Sequence, residues 1–570
     1  MKQSFIRATE FGAVPDTGED STEAVRKAIA YCRENGIGKL VFERGRYDFK
    51  HPTFLDQYDK VMKQGVHMDL GQSSDQKVIA FELEDMDHFE WDGGLASFVF
   101  HGLAQPFAFV RCRGLLLHRF TVDWERPLFS VGTVRSTDGS SAEIELLEGN
   151  EVDGAVPVAA LINYDPASKY PLIGSVESFS QIERTEQSAP NRLKLFYSKP
   201  QSMEPGMHLL LRHVLNYRMG ILLYECEQVR VRDVTLHYTP GMGIIGHRCE
   251  GLEFVRLSVK PSKGRILSTN TDATHFISCK GHIAFDECYF EGMGDDAVNV
   301  HGFYYKPVRK IDEYTVEAEA NVEIHAQSEK TDYPDIGDRI EWVSRGTMEP
   351  FAEGEVVDVR MKEGGILQIR FRNPVPDFLM ASGLMANATR SASLSIANCT
   401  VRNNRARAFL VQTRNVRIEN CTLDHCTGTA IHVTCSIHWY ESLTVSDVTI
   451  RNNVFRGCGF GAGTIGGAGV MVISAECDTP TAYVQRNIRF EDNVVYGRQG
   501  LGISIQSAEG VTIEKNRFMD CHPIAVIDRA NEVAFENNEY GSGGGVIVVG
   551  REIAEGAITL GDEHCRIVLK

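Results

Sequence analysis

The sequence predicts an all-β fold: a parallel β-helix (solenoid) with an N-terminal capping helix and two inserted small antiparallel β-barrel domains. Three observations carry this reading. A hydrophobic template recurs in nine segments, with a spacing of 22 to 23 residues at four of the steps; one amphipathic helix precedes the first strands; and two segments that break the repeat alternate apolar and polar residues.

The helix comes first in the chain. Asp20-Ser21-Thr22-Glu23-Ala24-Val25 opens it, with Ser21 or Asp20 able to cap it. Val25, Ala28, Ile29 and Cys32 then make one apolar face, and Asn35-Gly36 ends it. Lys39-Leu40-Val41-Phe42 reads as a short strand, and Gly45-Arg46-Tyr47 as a turn into the next. A single helix ahead of strands suggests a lid on an open core.

The repeat reads Val229-x-Val231-x-x-Val234-x-Leu236, and the same frame holds around Phe254, Phe285, Ile396, Ile418, Ile450, Phe490, Ile513 and Phe535. From 231 to 254 is 23 residues, and from 396 to 418 is 22. Such a unit cannot bury its inner face alone, so stacking has to supply a continuous core. Asn453, Asn493, Asn516 and Asn538 then form a ladder of turn amides, which tolerate left-handed backbone and can bond the next coil. Cys288, Cys399 and Cys421 fill the same column upstream as buried thiols.

Two stretches leave the register. Residues 303–388 carry Tyr314-Thr-Val-Glu-Ala, Asp338-Arg-Ile-Glu-Trp-Val, Gly354-Glu-Val-Val-Asp-Val and Leu367-Gln-Ile-Arg-Phe as alternating strands, and residues 127–212 carry a similar set. The expected division is therefore 1–126 for the cap and first coils, 127–212 for one barrel and 213–302 for coils with an Asp cluster. The second barrel takes 303–388 and the last coils 389–570.

Composition narrows the function. Lys+Arg 59 against Asp+Glu 77 gives a net charge of −18, which argues against a phosphate-tracking nucleic-acid binder and favours a neutral partner. No apolar run approaches the ~20 residues of a membrane span, and the start lacks a signal-peptide core, so no membrane association is expected. The expected location is cytoplasmic as the sequence stands, and periplasmic or secreted where a signal peptide has been removed. None of the 14 cysteines falls in a CxxC or zinc spacing, and neither metal nor other cofactor is expected. Either barrel or the solenoid edge could serve a homodimer.

The candidate site is Thr269-Asn270-Thr271-Asp272 with Gly294-Asp295-Asp296, 23 and 24 residues beyond Asp272. Adjacent coils lie about 4.8 Å apart, so the repeat makes Asp272 and Asp296 neighbours with Asp295 beside them. Three carboxylates at one point suit the acid-and-base logic of glycoside hydrolysis, and groups on adjacent coils suit the ~6.5–9.5 Å separation of an inverting pair. The alternatives are a calcium site of a polysaccharide lyase and a non-catalytic glycan-binding solenoid. Polar residues on neighbouring coils, Asn299, His301, Gln412 and His432, face outward, and Arg407 falls beside Asp296. Asn270, His275 and Glu441 join them as candidates for substrate binding, with Trp124 and Trp439 as candidate sugar platforms.

Phe11-Gly12-Ala13, Asp16, the Thr22-Glu-Ala-Val25 helix and Gly45-Arg-Tyr47 resemble the N-terminal cap of right-handed parallel β-helix carbohydrate enzymes, which supplies the expected hand. Asn270-Thr-Asp272 with Asp295-Asp296 looks like the polygalacturonase pattern. Gly294-Asp-Asp-Ala-Val-Asn-Val-His-Gly302, Val122-Asp-Trp-Glu-Arg-Pro127 and the two insertions resemble glycoside hydrolase family 110, the α-1,3-galactosidases. The resemblance implies an inverting exo-enzyme that removes terminal α-1,3-linked galactose from blood-group-B-type or linear α-galactosyl glycans. By the polygalacturonase analogy, Asp295 would be the general acid and Asp272 and Asp296 would activate water. No Gly-His-Gly of the polygalacturonase kind is found in this chain, and no Arg-x-Lys falls within its repeat coils, in keeping with a neutral sugar.

Overall fold

The computed structural model describes residues 5–63, 78–152, 154–172, 177–179, 182–201, 203–215, 217–319, 328, 330–460, 469–481, 483–498 and 500–570. The chain is a right-handed parallel β-helix, capped by a helix at its N-terminal end. Helix α1, Thr22–Asn35, buries Val25, Ala28, Ile29 and Cys32 against the first strands, as its pattern dictates. Ser21 stands at its N-cap without a side-chain bond; Asp20, one residue earlier, accepts at Oδ1 from the Thr22 amide at 3.1 Å and its hydroxyl at 2.6 Å, and Gly36 closes the helix with φ 63°. A second helix that the sequence pattern missed, α2 at Pro52–Lys63, follows the strand Arg46–Phe49 and buries Phe54, Val61 and Met62. Proline at its first position has no amide to satisfy there.

Each coil contributes three short strands. The template's nine central residues pair in one unbroken column: Val231, Phe254, Phe285, Ile396, Ile418, Ile450, Phe490, Ile513 and Phe535. All are essentially inaccessible, so the column is the apolar spine of the molecule. At the turn, the left-handed position is taken by the residue before the ladder position, Asn420, Asn452, Asp492, Lys515 and Asn537, and not by the ladder asparagines themselves. Those point inward. Asn453 donates through its backbone N–H (2.9 Å) and Nδ2 (3.1 Å) to Asn493 Oδ1, Asn493 does the same to Asn516, and Asn516 to Asn538. Each Nδ2 also reaches a strand carbonyl, Ile418, Ile450, Phe490 or Ile513. Upstream, the Cys288 amide lies 3.4 Å from Cys399 Sγ. All cysteines are free thiols.

The first insertion folds as a seven-stranded antiparallel sheet, running from Phe129–Thr137 to His208–Arg212. The second closes on itself through Val298–Asp312, Thr315–Glu319, Ile366–Phe371, Pro350–Met361, Arg339–Ser344 and Gly383–Asn387, each antiparallel to the next and the last to the first. Strand Val298–Asp312 begins inside the solenoid, where Val298 pairs with Thr274 and Phe409, and runs without a break into this barrel. At the junction Gly302 and Phe303 pair with Ser442 and Glu441. Buried Asp332 also ties the barrel to the coils, accepting from Ser278 Oγ (2.9 Å) and Tyr305 OH (2.8 Å) with His247 Nε2 at 3.2 Å. No helix among the described residues is long and apolar enough to cross a membrane.

The ladder predicts a specific cost. Asn493→Ala strands the buried Asn453 amide and takes the side-chain donor from the Ile450 carbonyl, while Asn516 Oδ1 keeps the residue 493 backbone N–H. The substitution is expected to destabilise by about 2–4 kcal/mol. Denaturant unfolding of the two proteins reads it; an unchanged midpoint would refute the ladder's contribution.

Candidate active site

Pairing of Thr274, Val298, Phe409 and Ile431 continues two residues backward, so Asp272, Asp296, Arg407 and Thr429 occupy one column. The Ala273 amide donates to the Asp296 carbonyl at 2.8 Å. Gly294 allows this approach: a Cβ there would sit 2.1 Å from the Asn270 carbonyl oxygen, so only glycine fits. Asp295 completes the group. One carboxylate oxygen from each of Asp272, Asp295 and Asp296 lies within 4.8 Å of the others. That is closer than the ~6.5–9.5 Å separation the adjacent-coil reading anticipates for an inverting pair.

The three differ in exposure. Their side chains are 6% (Asp272), 28% (Asp295) and 2% (Asp296) accessible. Asp295 Oδ1 has no hydrogen-bond partner, while Oδ2 lies 3.6 Å from Arg405 Nη1, which also donates to the Gly294 carbonyl at 3.0 Å. Asp296 Oδ1 accepts from the Arg407 amide at 3.0 Å and its Nε at 2.8 Å. Burial still lifts the Asp296 carboxyl to about 7, against Arg407 and with the charges of Asp295 and Asp272 adding to the rise. Burial, then Asp295, holds Asp272 well above the usual carboxylate range.

Behind Asp272 runs a buried chain of contacts. Asp272 Oδ2 is 2.6 Å from His275 Nδ1, His275 Nε2 is 2.7 Å from His301 Nε2, and His301 Nδ1 is 2.8 Å from the Gly302 carbonyl. Glu441 Oε1 lies 3.7 Å from His301 Nε2, and Gln412 Nε2 donates to Glu441 Oε2. Burial lowers both imidazoles, His301 to about 4. Asp272, Asp295, Asp296, His275, His301, Arg407, Gln412 and Glu441 are thus one connected site. Asn299 pairs with His275 in the adjacent coil, and its Oδ1 has no hydrogen-bond partner. His432 stands two coils further along that column, bonded to Ser474 Oγ at 2.9 Å.

Several sequence expectations are corrected. Asn299, His301, Gln412 and His432 were expected on a solvated outer face; all four are buried, because the barrel-bound strand and its partner Glu441–Ser442 lie over that face. Asn270 is fully buried as scaffold, its Nδ2 donating to the Val214 and Pro240 carbonyls and its Oδ1 accepting from Tyr238 OH. Trp124 is no platform: it packs between Phe100 and Tyr238, and its Nε1 donates to the Gly102 carbonyl. Trp439 is 39% exposed, two residues before Glu441.

Two features escaped sequence reasoning. Arg405 was available to it, since aligning Arg407 with Asp296 puts Arg405 opposite Gly294. The first insertion gave no periodic signal for its loop, whose Lys169 Nζ donates to the Arg265 carbonyl (3.1 Å) and whose Tyr170 stacks on His425 at 4.0 Å. Turn contacts run from Ser268 to Gly292, from Gly292 to Arg402 and from Asn403 to Asp424, so this loop bridges the coils on either side of the Asp295 and Arg405 turns.

A titration follows. Asp296 keeps its proton to about 7 when folded but to about 3.9 unfolded, so its stabilising contribution is full below the unfolded value and is lost as pH rises through about 7. Asp296→Asn is therefore expected to gain about 1 kcal/mol relative to the native chain between pH 6 and pH 8. Parallel unfolding curves at the two pH values would refute the raised carboxyl.

The family of right-handed beta helix regions matches residues 382–540. Alpha-1,3-galactosidase A of Bacteroides fragilis is 28% identical over 516 residues, 86% of this chain and 84% of that protein. Alpha-1,3-galactosidase B of Bacteroides thetaiotaomicron is 28% identical over 540 residues, 90% of this chain and 85% of that protein. Alpha-1,3-galactosidase A of Shewanella woodyi is 25% identical over 573 residues, 94% of this chain and 91% of that protein. Relatives of that name over most of the chain, with the β-helix match, fit the resemblance to glycoside hydrolase family 110.

Proposed function

We propose that this protein is a glycoside hydrolase that removes terminal α-1,3-linked galactose from glycans with inversion at the anomeric carbon. The similarity to proteins named alpha-1,3-galactosidase supports the reaction class and the linkage. One observation carries the mechanism: of three clustered carboxylates, only Asp295 is partly exposed, and its Oδ1 is not tied up in a hydrogen bond. A nucleophile must touch the anomeric carbon, which two buried carboxylates cannot do without rearrangement. A water molecule can reach them. Asp295 then protonates the leaving oxygen, and Asp272 and Asp296 orient and deprotonate the water. The Lys169–Tyr170 loop spans the turns that flank those of Asp295 and Arg405, and a bridge there would favour a chain end over a chain middle. Trp439 is the platform candidate that keeps an exposed face.

Incubation of the protein with α-1,3-linked galactobiose, followed by NMR, is expected to show β-galactose first. Initial α-galactose would overturn inversion, and no release would overturn the hydrolase. Asp295→Asn is expected to lower kcat by about 10²–10⁴-fold with the fold intact by circular dichroism.

A calcium-dependent lyase is disfavoured by the two guanidinium groups set against the Asp cluster, Arg407 on Asp296 and Arg405 beside Asp295, which occupy the electrostatic role of a dication. Dialysis against EDTA is accordingly expected to leave the rate unchanged; loss of activity restored by calcium would reverse this reading.

A further inference from the structure

The contacts behind Asp272 fix where protons can be. The Gly302 carbonyl only accepts, so His301 Nδ1 must carry a hydrogen toward it. His301 is buried and its acidity favours the neutral ring, which leaves Nε2 bare. A bare Nε2 at 2.7 Å requires that His275 Nε2 donate. His275 Nδ1 and Asp272 Oδ2, 2.6 Å apart, then share a single proton, on the carboxyl or on the ring.

We propose that His275 and His301 are positioning residues that lock one proton into the Asp272–His275 contact and thereby govern when Asp272 can take a proton from water. The inference rests on the hydrolytic reading above. In the reaction, a water O–H bond breaks and its proton passes to the second oxygen of Asp272, while the shared proton moves fully onto His275 Nδ1. The hydroxide forms the new bond to the anomeric carbon, the glycosidic C–O bond breaks, and the Asp295 proton goes to the leaving oxygen. The proton now held by the Asp272–His275 pair is lost when product leaves, and Asp295 is reprotonated from solvent. Burial lowers His275 overall, and Arg407 adds to that; the charges of Glu441, Asp296 and Asp295, with the contact to Asp272, work the other way and favour a transient imidazolium. His301 faces Glu441, His275 and Asp332.

The same two rings with Glu441 could be read as a metal donor set. Their Nε2 atoms are 2.7 Å apart, however, whereas two nitrogens on tetrahedral zinc at about 2.05 Å stand roughly 3.3 Å apart. The contact is a hydrogen bond.

The test compares His301→Leu and His301→Gln with the native chain, measuring kcat and KM against pH on α-1,3-linked galactobiose. Leucine removes the acceptor, so His275 turns its hydrogen to Nδ1, donates to Asp272 and favours the carboxylate. The acid limb is expected about one pH unit lower, with kcat down about 10–100-fold and KM within about threefold. Glutamine offers an amide oxygen in place of Nε2 and should keep the native limb. An unmoved limb in the leucine variant, or a glutamine variant displaced as far, would overturn the proposal. Neutron diffraction of the native protein reads the hydrogens directly, even if a variant fails to fold. A hydrogen on His301 Nδ1 and on His275 Nε2 supports the relay, and the opposite tautomers sink it. Absence of turnover by the native chain would defeat the hydrolase reading and leave the tautomers still to be tested.

Discussion

Parallel, in-register stacking of coils at about 4.8 Å is the constraint on which the rest depends. Every position of the repeat faces its own counterpart one coil on, so the fold rewards columns of like residues that enjoy that distance and penalises those that do not. Aliphatic and aromatic side chains in the Val231 to Phe535 column gain contacts on both sides. Buried amides gain as well, because Asn carries both a donor and an acceptor and can serve the coil above and the coil below. Carboxylates gain nothing from stacking. Asp272 beside Asp296 is a local conflict in an otherwise consistent pattern, and such conflicts concentrate at functional sites.

The protein answers the conflict within the same column. Arg407 stands one coil beyond Asp296 and bonds it through both backbone and side chain, so the offsetting charge is delivered by the register that created the difficulty. The second insertion adds what stacking cannot. Its first strand is an extension of the coil that bears Asp296, and the segment that pairs with it carries Glu441 to the imidazole of His301. An outer face that would be wet on a bare solenoid becomes a dry polar layer, in which each hydrogen bond counts for more and each unpaired group costs more.

This division explains what was legible in the sequence. Period and apolar alternation determine which residues face one another, so the columns, the ladder, Asp272 beside Asp296 and Arg407 beside Asp296 could be read without coordinates. Period also tells inside from outside relative to one coil. It does not tell what another part of the chain lays over the outside, which is why Asn299, Gln412 and His432 read as solvated and are buried. Trp124 failed for a related reason: a tryptophan at a strand end is equally suited to a sugar face or a core, and packing against Phe100 and Tyr238 decided it. Helix α2 was hidden because its only strong signal, a proline, also marks turns.

Charge balance ties the site together. Asp272, Asp295, Asp296 and Glu441 bring four potential negative charges into one largely dry cluster, and Arg405 and Arg407 supply two positive ones. An excess of two charges in such surroundings is far more costly than the uptake of two protons. Asp296 is one place for them: burial raises its carboxyl to about 7 even though its oxygen already accepts twice from Arg407. The other is the short contact between Asp272 and His275. Neutrality therefore places protons on Asp296 and in the Asp272–His275 pair, and Asp296 becomes a water-activating base only as pH rises through about 7.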